Sequence, residues 1–384
     1  MSRSLGLAVV AAACLAGVAS AALPPDPRAK DAVGDLRILV IRATWGPRPD
    51  GGGDLSRAKE FYERASFGRL RLHVDITPWL QAYMQPTCPG DASSRSQMGA
   101  AGELAQDAAS AAGYDLGAYG RIAYVLPDQV CDVVGRGAGR EVFIPEEGGT
   151  LDDFVFVHEL GHTFGLPHAA RSSCARRCRI DEYGDPLTPM GNGDVDFSAL
   201  EKLELGWISS VQPVDRSRTY SIADIDVPSS SPQALVVPTA AGEYWLEHRA
   251  AEPRRVVVRV VKPIDPTQPL YVRSIFLARA QDRYVARGVF SITRQFRFKW
   301  LDRKRPSIPR ARALDHAWLS WGRSSDAGSG VAAYRVSLDG NLLTTTTETG
   351  TALPALGDGG HRATVVAVDR AGNRSLPGVV NLHG

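Results

Sequence analysis

The side chains best suited to chemistry in this sequence lie between Val157 and His168, which read VHELGHTFGLPH. On a helix, positions i and i+4 share a face one turn apart, so His158 and His162 can point at one ion. Glu159 follows the first histidine and can reach a water beside such an ion without entering its shell. Gly165 lets the chain leave the helix through a conformation other residues resist, which brings His168 round as a third nitrogen. Three neutral imidazoles leave the fourth position of a tetrahedral Zn²⁺ open to water, whose pKa falls towards ~7 when it is bound. The expectation is one catalytic zinc held by His158, His162 and His168, with Glu159 as general base for hydrolysis. A lone HExxH also occurs by coincidence on helix surfaces; the third histidine makes this form far more specific. His73, His248, His316, His361 and His383 are isolated, and structural or surface roles are expected for them.

Met190 follows in a tight Pro189-Met190-Gly191 turn. A buried Met is usually core filler, but with the motif before it the arrangement resembles the metzincins and their Met-turn. Tyr183-Gly184-Asp185, Met190-Gly191 and Leu205-Gly206-Trp207 narrow the resemblance to the gametolysin family of secreted metallopeptidases. Tyr244-Trp245-Leu246-Glu247 adds to it weakly. The resemblance covers roughly residues 36–260 and implies zinc-dependent endopeptidase activity on protein substrates. Asn192 stands two residues past Met190, so the Tyr that assists zinc in some metzincins is not expected. No Cys lies between the first 21 residues and the first strand, so no cysteine-switch segment is expected.

The elements that must position these residues come next. Leu36 to Trp45 is an apolar, β-branched run that reads as a buried strand. Residues 54–66 read as a helix with Asp54 as N-cap and Gly68 at its end, and Leu70–Ile76 alternates as a second strand. Residues 97–112 are Ala-rich and helical, Arg121–Leu126 is a third strand, and Gly139–Pro145 reads as an edge strand. Thr150 with Asp153 resembles a capping box for the motif-bearing helix. A second capped helix starts at Ser198 with Glu201, and the loop between these helices carries no regular pattern. Strands alternating with helices imply a twisted α/β sheet carrying the active-site helix.

After about residue 218 the runs Tyr220–Ile222, Ala234–Val237, Tyr244–His248, Val256–Val261 and Phe290–Phe298 are β-like without helices. Lys304–Arg312 reads as a linker. Trp321, Ser329-Gly330-Val331, Tyr334, Asp339-Gly340 and the Val368–Asn373 run resemble a fibronectin type III-like or bacterial immunoglobulin-like sandwich. Ala363 stands where such repeats usually carry a corner Tyr. The expected fold is therefore multi-domain: a signal peptide at 1–21, a metzincin-like zinc peptidase domain at 22–217, a small β module at 218–303, a linker at 304–312 and a β-sandwich at 313–384.

Arg3, the apolar Leu5–Val18 stretch and Ala19-Ser20-Ala21 form an export-signal pattern, so the mature chain is expected to be secreted. No other segment approaches the ~20 apolar residues of a spanning helix. Signal removal takes Cys14 and leaves Cys88, Cys131, Cys174 and Cys178, an even set that suggests two disulfides after export. Pairing Cys174 with Cys178 and Cys88 with Cys131 is one of three connectivities; a second metal site at Cys174 and Cys178 is the rival. The 384 residues are 44% hydrophobic and 22% charged with a net charge of +2, which gives no footprint for nucleic acid. Calcium in the Asp-containing loops is compatible with the sequence and not derivable from it. Expected partners are protein or peptide substrates, including matrix or cell-wall proteins; the competing classes are an exported adhesion protein with a structural zinc and a hydrolase of non-peptide amides.

Overall fold

The computed structural model describes residues 31–47, 53–82, 94–126, 135–145, 151–174, 178–249, 256–261, 275–280, 283–286, 288–314 and 317–383. The fold is mostly β with few helices, arranged as a sheet flanked by helices and followed by further sheets.

The first part runs β1 (Gly34–Thr44), α1 (Ser56–Ala65), β2 (Leu70–Ile76), β3 (Leu80–Gln81), α2 (Ser94–Ala111), β4 (Arg121–Leu126), β5 (Arg136–Ala138), β6 (Glu141–Pro145) and α3 (Asp153–Thr163). The strands form one sheet in the order β2-β1-β4-β6-β5, with β3 beside the far end of β1. All neighbours are parallel except β5, which pairs antiparallel with β6. The edges are therefore β2 and β5, and the segment read as an edge strand, β6, lies inside the sheet. β1 is central and its side chains alternate between two cores. Leu36, Ile38 and Val40 pack with α1 and α3 on one face, whereas Leu39, Ile41 and Ala43 pack with the alanines of α2 on the other. Asp54 does not cap α1: Leu55 occupies the N-cap at φ 54°, and the Asp54 carboxylate accepts from Ser56 N at 2.9 Å.

Between the sheet and the rest of the chain lie a hairpin, β7 (Arg171–Cys174) with β8 (Cys178–Asp181), and α4 (Ala199–Glu204). The stretch without readable pattern thus contains a short antiparallel pair. α4 begins with the expected capping box, Ser198 with Glu201.

Next come β9 (Gln212–Pro213), β10 (Arg218–Thr219), β11 (Ala234–Thr239), β12 (Gly242–Glu247), β13 (Val256–Val261), β14 (Ile275–Ala280), β15 (Arg283–Ala286), β16 (Phe290–Thr293) and β17 (Arg297–Trp300). They form two sheets, β14-β13-β12-β11-β9 and β10-β17-β16-β15, around one aromatic-rich core of Tyr220, Phe290, Phe298 and Trp300. The other face of β11 and β12 does not end at solvent. Ala234, Val236 and Trp245 join Ala199, Leu200 and Ile208 in a shared cluster. The chain before and after residue 217 is thus packed through a common interior.

The last part contains β18 (Ala311–Ala313), β19 (Trp318–Trp321), β20 (Val331–Leu338), β21 (Asn341–Thr346), β22 (Gly350–Ala352), β23 (Gly360–Asp369) and β24 (Gly378–His383). Two sheets, β18-β19-β22 and β21-β20-β23-β24, share the core of Leu319, Trp321, Tyr334, Val336, Val365 and Ala367. No described helix is long and apolar enough to cross a membrane.

Candidate metal centre

The helix α3 carries the first two histidines, and four contacts fix it. Asp152 caps its start, accepting from Phe154 N at 2.8 Å and Val155 N at 3.1 Å. This replaces the expected cap at Thr150, which lies outside the described residues. The Asp153 carboxylate accepts from Ala58 N at 2.8 Å, and Tyr62 donates to Val157 O at 2.8 Å, so α1 and α3 are tied by directional bonds as well as by packing. At the other end Arg121 Nε donates to Thr163 Oγ1 at 3.0 Å. Phe156, Val157 and Leu160 are buried in the sheet-facing core.

Gly165, at φ 95°, turns the chain out of α3. His168 follows, and Ala169 N then donates to Met190 O at 2.8 Å, which ties the segment after the third histidine to the Met190 turn. Met190 is fully buried beneath α3. A Cβ added to Gly161 would lie 2.5 Å from Met190 Sδ, so any side chain at 161 would push the Met190 side chain aside.

His158, His162 and His168 are brought together, each offering a ring nitrogen within 4.8 Å of the others. The remaining nitrogens explain their orientation. His158 Nδ1 lies 2.7 Å from Pro189 O, and His162 Nδ1 lies 2.7 Å from Leu166 O. A carbonyl oxygen can only accept, so both Nδ1 atoms donate and both Nε2 atoms carry lone pairs. Those two Nε2 atoms face each other at 3.1 Å. Burial works against relieving this contact by protonation, holding His162 down to about 3 and lowering His158 as well. Two acceptors facing each other repel, and a cation between them removes the conflict. Two ligands of a tetrahedral zinc with bonds of about 2.0–2.1 Å lie about 3.3 Å apart, close to the observed separation. The donor set fits Zn²⁺.

His168 Nδ1 lies 2.7 Å from Glu182 Oε1, so a carboxylate orients the third ring. Metal-bound histidines commonly have such a partner on the far nitrogen. Tyr183 stacks at a tilt on His168, with ring centroids 4.2 Å apart, and lies 5.9 Å from His158. Neither Glu182 nor Tyr183 was singled out for a role at the site from the sequence. A Tyr is therefore present beside the histidines, although it comes from the β8 side and not from the position after Met190.

Glu159 is buried behind β5. Burial pushes its carboxyl up to about 7, against a hydrogen bond from Gly137 N–H and the positive charge of Arg136. The edge strand thus supplies the groups that hold the carboxylate next to the histidines.

Cys88 and Cys131 lie outside the described residues, as does the 1–21 segment. The register of β7 and β8 sets Cys174 opposite Cys178. Of the histidines expected in structural or surface roles, His73, His248 and His361 each bond an aspartate and His383 is exposed, while His316 lies outside the described residues.

Among solved structures, the chain is similar to archaemetzincin from Methanopyrus kandleri, at 16% identity over 45% of this chain and 95% of that one, with a TM-score of 0.25. It is also similar to OgpA from Akkermansia muciniphila, crystallised in a catalytically inactive form with an O-glycopeptide, at 11% identity over 91% of this chain and 92% of that one, with a TM-score of 0.26. A third likeness is to the spore cortex lytic enzyme SleM of Clostridium perfringens, at 14% identity over 23% of this chain, with a TM-score of 0.19. The chain spans only 33% of SleM's length. No curated protein sequence matches the chain significantly. The family model of gametolysin peptidase M11 matches residues 40–244, more than half of the chain and all of the histidine site, and the chain belongs to that family of metallopeptidases.

Proposed function

We propose that this metallopeptidase is an exported zinc endopeptidase of the metzincin type that cleaves peptide bonds within protein substrates. The observation that carries the reading is the facing pair of Nε2 acceptors on His158 and His162, 3.1 Å apart, with His168 completing the group. These three side chains would hold one Zn²⁺. When bound, the ion supplies Lewis acidity to a water and to the scissile carbonyl.

The remaining steps belong to the chain. Glu159 takes a proton from the attacking water and delivers it to the departing amine. Its environment suits that exchange: burial raises the carboxyl towards neutrality, and Gly137 N–H keeps it oriented. β5 is the sheet edge that runs beside α3 among the described residues, so it offers main-chain groups to an extended peptide lying across the site. Pro189 O, Leu166 O and Glu182 fix the imidazoles, leaving little reorganisation for catalysis.

The same reading takes residues 1–21 as the export signal, 22–217 as the peptidase domain, 218–303 as a β module, 304–312 as a linker and 313–384 as a fibronectin type III-like sandwich. The sandwich spaces the enzyme from, or binds it to, matrix or cell-wall polymers. Cys174 with Cys178 and Cys88 with Cys131 form two disulfides; the opposed register of the first pair supports the local bridge.

The test uses the mature chain and its Glu159→Gln variant, which keeps size and hydrogen bonding but cannot accept the proton. Both proteins should contain one zinc by elemental analysis, and peptide cleavage should fall by about 10²–10⁴-fold in the variant. Equal cleavage rates would exclude Glu159 as the base. No zinc in the wild type after reconstitution would remove the reading altogether. Full zinc loading without cleavage of any protein substrate would favour the adhesion class.

A further inference from the structure

Arg259, on β13, lies beyond the residues matched by the family and far from the histidines in sequence, yet its guanidinium is buried against the loop that underlies them. Arg259 is 1% exposed and Asp185 0%. Nε donates to Asp185 Oδ2 at 2.9 Å, Nη2 donates to Leu187 O at 3.1 Å, and Nη1 donates to Glu247 Oε1. Charge does not force an arginine here, because a buried ion pair is often replaceable by apolar side chains without loss of stability. What the fork provides is direction: one planar group fixes a carboxylate and a carbonyl of the same loop at once.

That loop is the common support of the histidines. Asp185 N donates to Ala169 O at 3.1 Å, and Ala169 N donates to Met190 O at 2.8 Å, so Asp185 and Met190 grip the residue following His168. Asn192 N returns to Asp185 O at 3.1 Å and closes the loop on itself. Within it, Pro189 O receives His158 Nδ1. A displacement of Asp185 or Leu187 therefore moves the orienting carbonyl of His158 and the segment carrying His168 together.

We propose that Arg259 is a positioning residue of the metal centre, which makes the sheet after residue 217 a working part of the site. The inference rests on the reading of the three histidines as metal ligands. Its internal control is Arg249, which is equally buried at 1% exposure and also bonds Glu247, but reaches Asp196 O and Phe197 O instead of the 185–190 loop.

The experiment measures zinc affinity by competition with a chelator, and the visible spectrum of the cobalt-substituted protein, for wild type, Arg259→Lys, Asp185→Asn and Arg249→Lys. Thermal melts report how much of each protein is folded. Zinc affinity should fall about tenfold in Arg259→Lys and Asp185→Asn, with shifted cobalt bands, because partners that orient ligands typically contribute 10–100-fold. Arg249→Lys should keep the wild-type affinity and spectrum even where its melting temperature drops. Asp185→Asn preserves volume and reads the link from its other end if Arg259→Lys does not fold. Wild-type affinity and spectrum in the folded variants would overturn the proposal, as would an equal loss in Arg249→Lys. A wild type that binds neither metal would instead bring down the reading of the histidines, and this inference with it.

Discussion

Among the described residues, two trios carry side chains of metal-ligand type, His158–His162–His168 and Asp302–Asp326–Asp369, and each group brings its candidate ligand atoms within 4.8 Å of one another. They differ in what occupies the far side of each group. Around the histidines the neighbours are acceptors, Pro189 O, Leu166 O and the Glu182 carboxylate, so two imidazoles at least turn lone pairs inward. Around the aspartates the neighbours are donors. Asp302 accepts from Ser329 N and Oγ, each at 2.8 Å; Asp326 accepts from Gly328 N and Gly330 N; and Asp369 accepts from Asn373 N and Nδ2. One trio turns imidazole lone pairs towards a common point, whereas the other fastens the chain after β17 to the last two sheets. A cluster of ligand-type residues becomes a metal centre through the polarity of its surroundings.

The largest effect that can break this contrast is loss of a ligand. His162→Ala should leave the purified protein without zinc after dialysis and reduce peptide cleavage to background, while Asp302→Asn leaves zinc content and cleavage at wild-type levels. Retention of stoichiometric zinc by His162→Ala, measured by elemental analysis, would place the metal elsewhere.

A smaller effect sharpens the role of the acceptors. Glu182→Gln removes the charge facing His168 and lets an amide flip its donor towards the ring. Half-exposed, Glu182 should contribute at the lower end of the usual range, so zinc affinity should drop about tenfold with little change in melting temperature. Chelator competition on the two proteins gives the answer, and equal affinities would mean that Glu182 does not orient His168.

The parts of this site that were legible in the sequence are those set by local geometry. The i, i+4 spacing of His158 and His162, the turn at Gly165, and the Ser198–Glu201 capping box all follow from helix periodicity and need no knowledge of distant chain. Met190 was legible only through its distance from a recognised motif. Glu182 and Tyr183 were not, because they sit in a Gly- and Arg-rich stretch with no period, and a short hairpin is what carries them back to His168. The Arg259–Asp185 pair joins residues on opposite sides of an assumed module boundary, and nothing in either neighbourhood marks one for the other. The edge strand was misread for a similar reason. β5 is three residues long, too short for alternation to show, so the longer β6 looked like the edge. Asp152 caps α3 two positions past the expected residue, a shift that an S/T-x-x-D pattern does not resolve.

The smallest effect expected concerns the aspartates, and it is the stricter test because it predicts almost nothing. Backbone and side-chain donors, those of Ser329, Gly330 and Asn373 among them, already bind these carboxylates in the folded protein, so calcium is expected to add nothing measurable. Linkage turns this into a number: a site with a Kd of about 10 μM, saturated with calcium at about 1 mM, would add about 2.7 kcal/mol to stability. For a unit of 150–250 residues that is a rise in melting temperature of roughly 5–10 °C. Wild type should instead melt within about 1 °C of its calcium-free value. Asp326→Asn, which weakens the bonds to Gly328 and Gly330, should lower the melting temperature by a few degrees through lost hydrogen bonding, with or without calcium. A calcium-dependent rise of several degrees that vanishes in Asp326→Asn would show that the trio binds a cation despite its donors, and the distinction drawn between the two trios would fail.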